Sequence, residues 1–150
     1  FFVAEKCGQA QDAMKPYTSL FPNAAIYFSQ TYKALEEQPE GNLKFGHFSL
    51  NNEIFAAMDG TGNLSFTFNE VVSLVVECDT LEDIDNHRAK LTKGGEESMC
   101  GWTKDKFGIS WQIVPKVLGS LMADPSKSQR VMAEAMKMKK PDIETLVNSR

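Results

Sequence analysis

Few side chains in this sequence combine the types and spacing that chemistry requires. There are two histidines. His47 falls inside an alternating, strand-like run, where packing or surface exposure is a commoner role than that of a base. His87 lies among Asp85, Asn86 and Arg88, a group that reads as the solvated face of a helix. No Ser-His-Asp order and no nucleophile elbow can be read. Glu96 and Glu97 are adjacent, so on a strand they point to opposite faces and do not form a catalytic carboxylate pair. Cys100, just before Gly101 and Trp102, has two readings: a pocket thiol, or a small buried hydrophobe, the commoner fate of a free cysteine. Gly60 and Gly62 are close together in a candidate cofactor loop, but no helix signal follows them, as a nucleotide cradle requires.

The densest information lies in CGWTKDKFGISWQIVP, residues 100–115. Asp105-Lys106-Phe107-Gly108 has type I turn chemistry, with Asp first and Gly last. The run 109–114 then alternates along a β-rich strand, so Trp111 and Gln112 must face opposite sides of its sheet.

The elements that would position these residues follow from periodicity. Residues 1–4 read as the end of a strand. Ala10, Ala13, Met14, Tyr17, Leu20 and Phe21 recur at helical spacing, with Pro16 expected to kink or split that helix. Residues 25–32 and 43–50 read as strands. In the second, Leu43, Phe45, His47 and Ser49 share one side and Gly46, Phe48 and Leu50 the other. Asn51-Asn52 is a hairpin signal, and 53–58 is the returning strand. A charged loop over 33–42 and a Gly-rich loop over 59–63 separate these runs.

The order then begins again. Residues 71–78 form an apolar strand. Thr80 is an N-cap, with Glu82 and Asp83 in the first turn of a helix that closes at Gly94-Gly95. Two or three strands lead to Pro115. Beyond it, Val117, Leu118, Leu121 and Met122 form one stripe. A further helix starts near Asp124-Pro125-Ser126, lined by Val131, Met132, Ala135, Met136 and Met138. Pro141 opens a last short helix with Ile143, Leu146 and Val147. The methionines of this tail are either gap-filling core or a partner surface.

Composition bounds the function classes. The 150 residues carry a net charge of −4, 42% apolar and 24% charged side chains, and ten Phe. These values fit one globular domain with an aromatic-rich core, and the acidic balance argues against nucleic acid or anionic membrane as partner. No run is apolar enough to span a bilayer, and Glu5 and Lys6 interrupt the first apolar residues as a signal peptide would not allow. Three scattered cysteines, Cys7, Cys78 and Cys100, fit reduced thiols and a cytoplasmic location.

Several of these stretches resemble one family. Residues 7–24, CGQAQDAMKPYTSLFPNA, are similar to the first helix of the PhnB-like proteins. Residues 68–80, FNEVVSLVVECDT, resemble their central strand, 94–115 are the nearest match, and the tail from Val117 is also similar. PhnB-like proteins are a branch of the glyoxalase/bleomycin-resistance, or vicinal oxygen chelate, superfamily and often carry the name demethylubiquinone methyltransferase. Pro16 departs from the usual helix former, and MDGTGN, residues 58–63, departs from the NGGP-type loop.

The resemblance implies an α+β fold: two βαβββ modules forming a cup over 1–115, with a C-terminal helical extension over 116–150 packed on the same domain. It also implies a homodimer. Superfamily enzymes hold a divalent metal at matched strand positions, which fall here on Ser73, on Gln112 and near Ala56 or Met58. Ser is a poor ligand, Ala is none, and one neutral Gln does not hold a metal, so no metal and no other cofactor is expected. The implied cup would bind a small organic molecule among Met58, Ser73, Trp102, Phe107, Trp111 and Gln112, with core packing as the other reading for Trp111 and Phe107. The rival expectation is an enzyme, either metal-dependent on a vicinal-oxygen substrate or a methyltransferase as the family name says.

Overall fold

In the computed structural model of the protein, residues 1–149 are described, and the chain divides into two units, Phe1–Thr67 and Phe68–Arg150. The first unit opens with a 3-10 turn, Ala4–Lys6, followed by helix α1, Ala10–Leu20. Three strands follow: β1, Ala25–Thr31, β2, Leu43–Leu50, and β3, Glu53–Ala57. They form an antiparallel sheet in the order β1-β2-β3. Asn51 and Asn52 both take left-handed backbone, φ 49° and 70°, as the two-residue hairpin between β2 and β3 requires. At the other side, Phe2 forms a parallel bridge with Asp59, where the sequence placed the end of an opening strand.

Helix α1 buries Ala10, Ala13, Met14 and Tyr17, the stripe its spacing predicts. It presses so closely on β2 that a Cβ at Gly46 would lie 2.9 Å from the Met14 sulfur. Contrary to expectation, α1 is not split at Pro16. The Thr18 hydroxyl bonds back to the carbonyls of Met14 and Lys15, and the Ser19 hydroxyl to that of Pro16. The expected grouping of Leu43 with Phe45 and His47 also fails. The register slips there, with Thr31 opposite Leu43 but Gln30 opposite Phe45. This irregularity leaves Leu43 fully buried, within 3.1 Å of a Cβ built on Gly46.

The second unit repeats the plan. Strand β4, Ser73–Cys78, leads into helix α2, Leu81–Leu91, and then β5, Glu96–Glu97, β6, Trp102–Lys104, and β7, Ser110–Pro115. The sheet order is β4-β7-β6-β5, with β4 and β7 parallel and the remaining pairs antiparallel. Thr80 caps α2 by accepting from the Asp83 amide. In both units, then, the opening strand or bridge lies parallel to the last strand, with the other two running outward from it.

Helices α3, Val117–Met122, α4, Ser128–Ala135, and α5, Ile143–Asn148, follow β7. Val131, Ala135 and Leu146 form a small core of their own, joined by Leu118, Leu121, Met122 and Met138. The turn before β6 ties this extension down: the Cys100 and Gly101 amides donate to the Met138 and Lys139 carbonyls at 2.7 and 3.0 Å. Met132 and Met136, expected along the inner side of α4, are instead 44% and 61% exposed. The buried face follows Val131 and Ala135, and the two methionines each fall one residue past it.

Candidate functional site

Strand parity sorts the second sheet into two faces. The register aligns Ser73, Val75 and Glu77 of β4 with Ser110, Gln112 and Val114 of β7. It aligns Gln112 with Trp102 and Ser110 with Lys104 of β6. Paired residues share a face, so these side chains line one surface. Leu74, Val76, Thr103, Trp111 and Ile113 line the other, the one packed under α2 with Ile84 and Leu91.

The open face is polar at its centre. The Gln112 side-chain amide donates to the Ser73 hydroxyl at 2.8 Å, joining β7 to β4. Trp102 stands beside Gln112 and is half-buried. Lys104 forms an ion pair with Glu70, from the segment that precedes β4. The bond from Lys104 holds the Glu70 carboxyl below its usual range, and Glu70 raises Lys104 in turn. Ser110 is only 2% exposed and its hydroxyl has no partner among the described residues.

Trp111 and Phe107 are buried in the interior. Trp111 is 2% exposed and its indole N–H donates to Asp105 Oδ2 at 2.8 Å. Asp105 Oδ1 accepts from the Phe107 and Ile109 amides at 2.8 and 3.1 Å. A buried indole needs an acceptor, and the buried carboxylate that organises the turn supplies one. Of the six expected ligand residues, Ser73, Trp102 and Gln112 therefore share the open face, and Trp111 and Phe107 do not. Met58 lies in the first unit, just after β3, where its carbonyl accepts from the Phe2 amide at 2.9 Å. Reading residues 102–104 and 110–112 with the same alternation as Trp111 and Gln112 would have added Lys104 and Ser110; nothing local in the sequence marks Glu70 as a partner.

The first unit has an open face too. His47 is exposed and its ring lies 4.8 Å from that of Phe45, which lies 6.5 Å from Phe28. The side of β2 toward α1 carries Gly46 and Phe48 instead, the latter stacked on Phe55 at 5.5 Å.

The other chemical candidates are accounted for by structure. His87 Nδ1 contacts the Asp83 carbonyl at 2.8 Å and the Cys78 sulfur at 3.9 Å. Burial, with the nearby charges of Asp83 and Asp79, pushes the Cys78 thiol up to about 11, so it is not a thiolate nucleophile at neutral pH. Glu97 pairs with Arg88 at 3.2 Å, while Glu96 is the cross-strand partner of Lys104 on the open side. Gly60 is small for packing reasons: a Cβ there would meet the Phe1 ring and lie 2.8 Å from Val3.

The superfamily's metal does not fit this donor set. Ser73 and Gln112 are neutral and bonded to each other. Among the described residues no group of three or more His, Cys, Asp or Glu side chains could hold a metal ion. Nor is any helix among them long and apolar enough to cross a membrane.

Residues 2–114 match the family described as 3-demethylubiquinone-9 3-methyltransferase. Among solved structures, a Bacillus cereus PhnB protein given the same description is 34% identical, with a TM-score of 0.71 over 77% of this chain and 95% of that one. A Pseudomonas aeruginosa protein has a TM-score of 0.62 at 13% identity, over 76% of this chain and 92% of that one, a likeness of fold alone. No curated protein matches the chain. With these neighbours, the two βαβββ units are those of an α+β, glyoxalase-like fold.

Proposed function

The chain belongs to the PhnB-like family described as 3-demethylubiquinone-9 3-methyltransferase, and on that footing we propose that it binds a small organic molecule on the open face of β4, β7 and β6. The observation that carries this reading is the Ser73–Gln112 pair, a hydrogen-bonding centre flanked by the half-buried indole of Trp102. Small-ligand sites combine apolar walls with a few placed polar groups of this kind. The side chains on that face are suited to recognition. They include no imidazole or thiol to serve as base or nucleophile. We also propose that the protein works as a homodimer in the cytoplasm. The apolar side chains exposed on β1, Ile26, Tyr27 and Phe28, support the first point, and the three free cysteines support the second.

Thermal-shift screening tests the binding role against divalent metals, S-adenosylmethionine and a panel of small aromatic and phosphonate compounds. A ligand at a hundred times its dissociation constant adds about 2.7 kcal/mol of stability by linkage. The expected result is stabilisation by an organic compound, lost in Gln112→Ala. Stabilisation by a metal or by S-adenosylmethionine, followed by turnover, would establish the enzyme reading instead. No stabilisation by any organic compound would remove the binding role.

A further inference from the structure

We propose that this face receives the oxyanion of a small organic acid, a carboxylate or phosphoryl group, at Ser73, Ser110 and Lys104, the last of which is ion-paired to Glu70 in the free protein. The inference rests on the binding role above and specifies what is bound. Three donors lie in one row across that face. The Ser73 hydroxyl already accepts from Gln112, so its own proton is left to donate. Ser110 sits in register with Ser73 on one side and Lys104 on the other, on the same face as both. Its hydroxyl is buried without a partner among the described residues, an arrangement that costs free energy unless another group satisfies it. Lys104 supplies the positive charge. Adjacent strands lie about 4.8 Å apart, so a group with two or three oxygens can reach donors on neighbouring strands.

Glu70 shows that a carboxylate reaches the ammonium of Lys104, to which its side chain is ion-paired. It is 59% exposed and comes from the segment before β4, so it can leave without unpacking the sheet. Trp102, next to Gln112, would flank the ligand's apolar part. Glu96 is the cross-strand neighbour of Lys104 and Glu77 lies further along the same face. An incoming anion therefore meets competition from acids, Glu70 above all.

Full-length protein titrated with benzoate, phenylphosphonate and neutral benzamide, by calorimetry and indole fluorescence, tests the assignment. At least one anion is expected to bind, with benzamide about tenfold weaker. Binding of both anions supports the shared site; binding of benzoate alone or of phenylphosphonate alone supports it and assigns the group. Lys104→Met should abolish the preference over benzamide, and Ser110→Ala should weaken the anions several-fold. Glu70→Gln, which frees Lys104, should tighten them several-fold, a gain that a misfolded variant would not give. Benzamide binding as well as the anions, with loss in Gln112→Ala, would overturn the oxyanion assignment and leave the binding role standing. So would binding by none of the three while another panel compound stabilises the protein. Anion affinity unmoved by both Lys104→Met and Glu70→Gln would also overturn it.

Discussion

In the first unit the open side of the sheet carries Phe28, Phe45 and His47; in the second it carries Ser73, Ser110, Gln112 and Lys104, with Trp102. The frames beneath are alike. Each is a helix over a sheet whose last strand lies parallel to the opening segment, and each is anchored by a buried aspartate. Asp59 accepts from the Gly8, Ala10 and Leu43 amides at 2.7, 3.2 and 2.7 Å. Asp105 accepts from two amides and the Trp111 indole. Asp59 ties the start of α1 to β2, Asp105 closes the turn between β6 and β7, and both are buried. The comparison teaches that this frame is held by its buried carboxylates and its helix-side packing, which leaves the open faces free to differ in chemistry.

The largest expected effects come from removing the anchors. Asp59→Ala and Asp105→Ala each leave three N–H donors, two of them buried, without this acceptor, and each should cost about 3 kcal/mol in urea denaturation. A loss under about 1 kcal/mol at either site would break the parallel between the units.

Glycine replacements sharpen the same comparison. A Cβ at Gly95 would strike the backbone of Lys104 and Asp105, whereas one at Gly60 meets the side chains of Phe1 and Val3. Backbone cannot step aside as side chains can. Gly95→Ala should therefore cost about 3 kcal/mol and Gly60→Ala about 1 kcal/mol, read as shifts in the denaturation midpoint.

The two tryptophans divide the second unit. Trp111→Phe loses the bond to Asp105 and should cost about 2 kcal/mol. Trp102→Phe should cost under about 1 kcal/mol and fall instead on ligand affinity. Equal stability losses would mean that the faces are assigned wrongly.

The smallest effect concerns the thiols. Cys7 in the first unit donates to the Gly60 carbonyl at 2.8 Å, and burial, with the charge of Asp59, raises its pKa. Cys78 in the second is raised by burial from 9.0 to about 11. The folded state thus holds the Cys78 proton more tightly than the unfolded state does. Its contribution is fully present below about pH 9 and is lost as the pH rises toward 11, a decline of roughly 1–2 kcal/mol. Urea midpoints of the wild type and Cys78→Ala between pH 8 and 11 should converge by that amount; parallel curves would remove the burial argument.

Much of this frame is legible in the sequence because its signals are local. The Asn51-Asn52 turn, the Thr80 cap and the α1 stripe each depend on residues a few positions apart. The opposite facing of Trp111 and Gln112 follows from alternation alone. Which of the two is buried does not, because that is decided by Asp105 reaching back across the turn to the indole. The register slip beside Lys44 reverses the expected side of Leu43 and has no local marker. Lys104 and Ser110 were readable by parity, but their pairing with Glu70 and Ser73 depends on strand order.

The central claim is that ligand meets the Trp102 and Gln112 face and not the Trp111 face. Amide and indole correlation spectra of 15N-labelled protein test it most directly, recorded while an aromatic compound that stabilises the chain is titrated in. The indole N–H of Trp102 should shift progressively with the backbone amides of Ser73 and Gln112, while that of Trp111, held by Asp105, stays in place. Movement of the Trp111 indole with Trp102 unmoved would contradict the account.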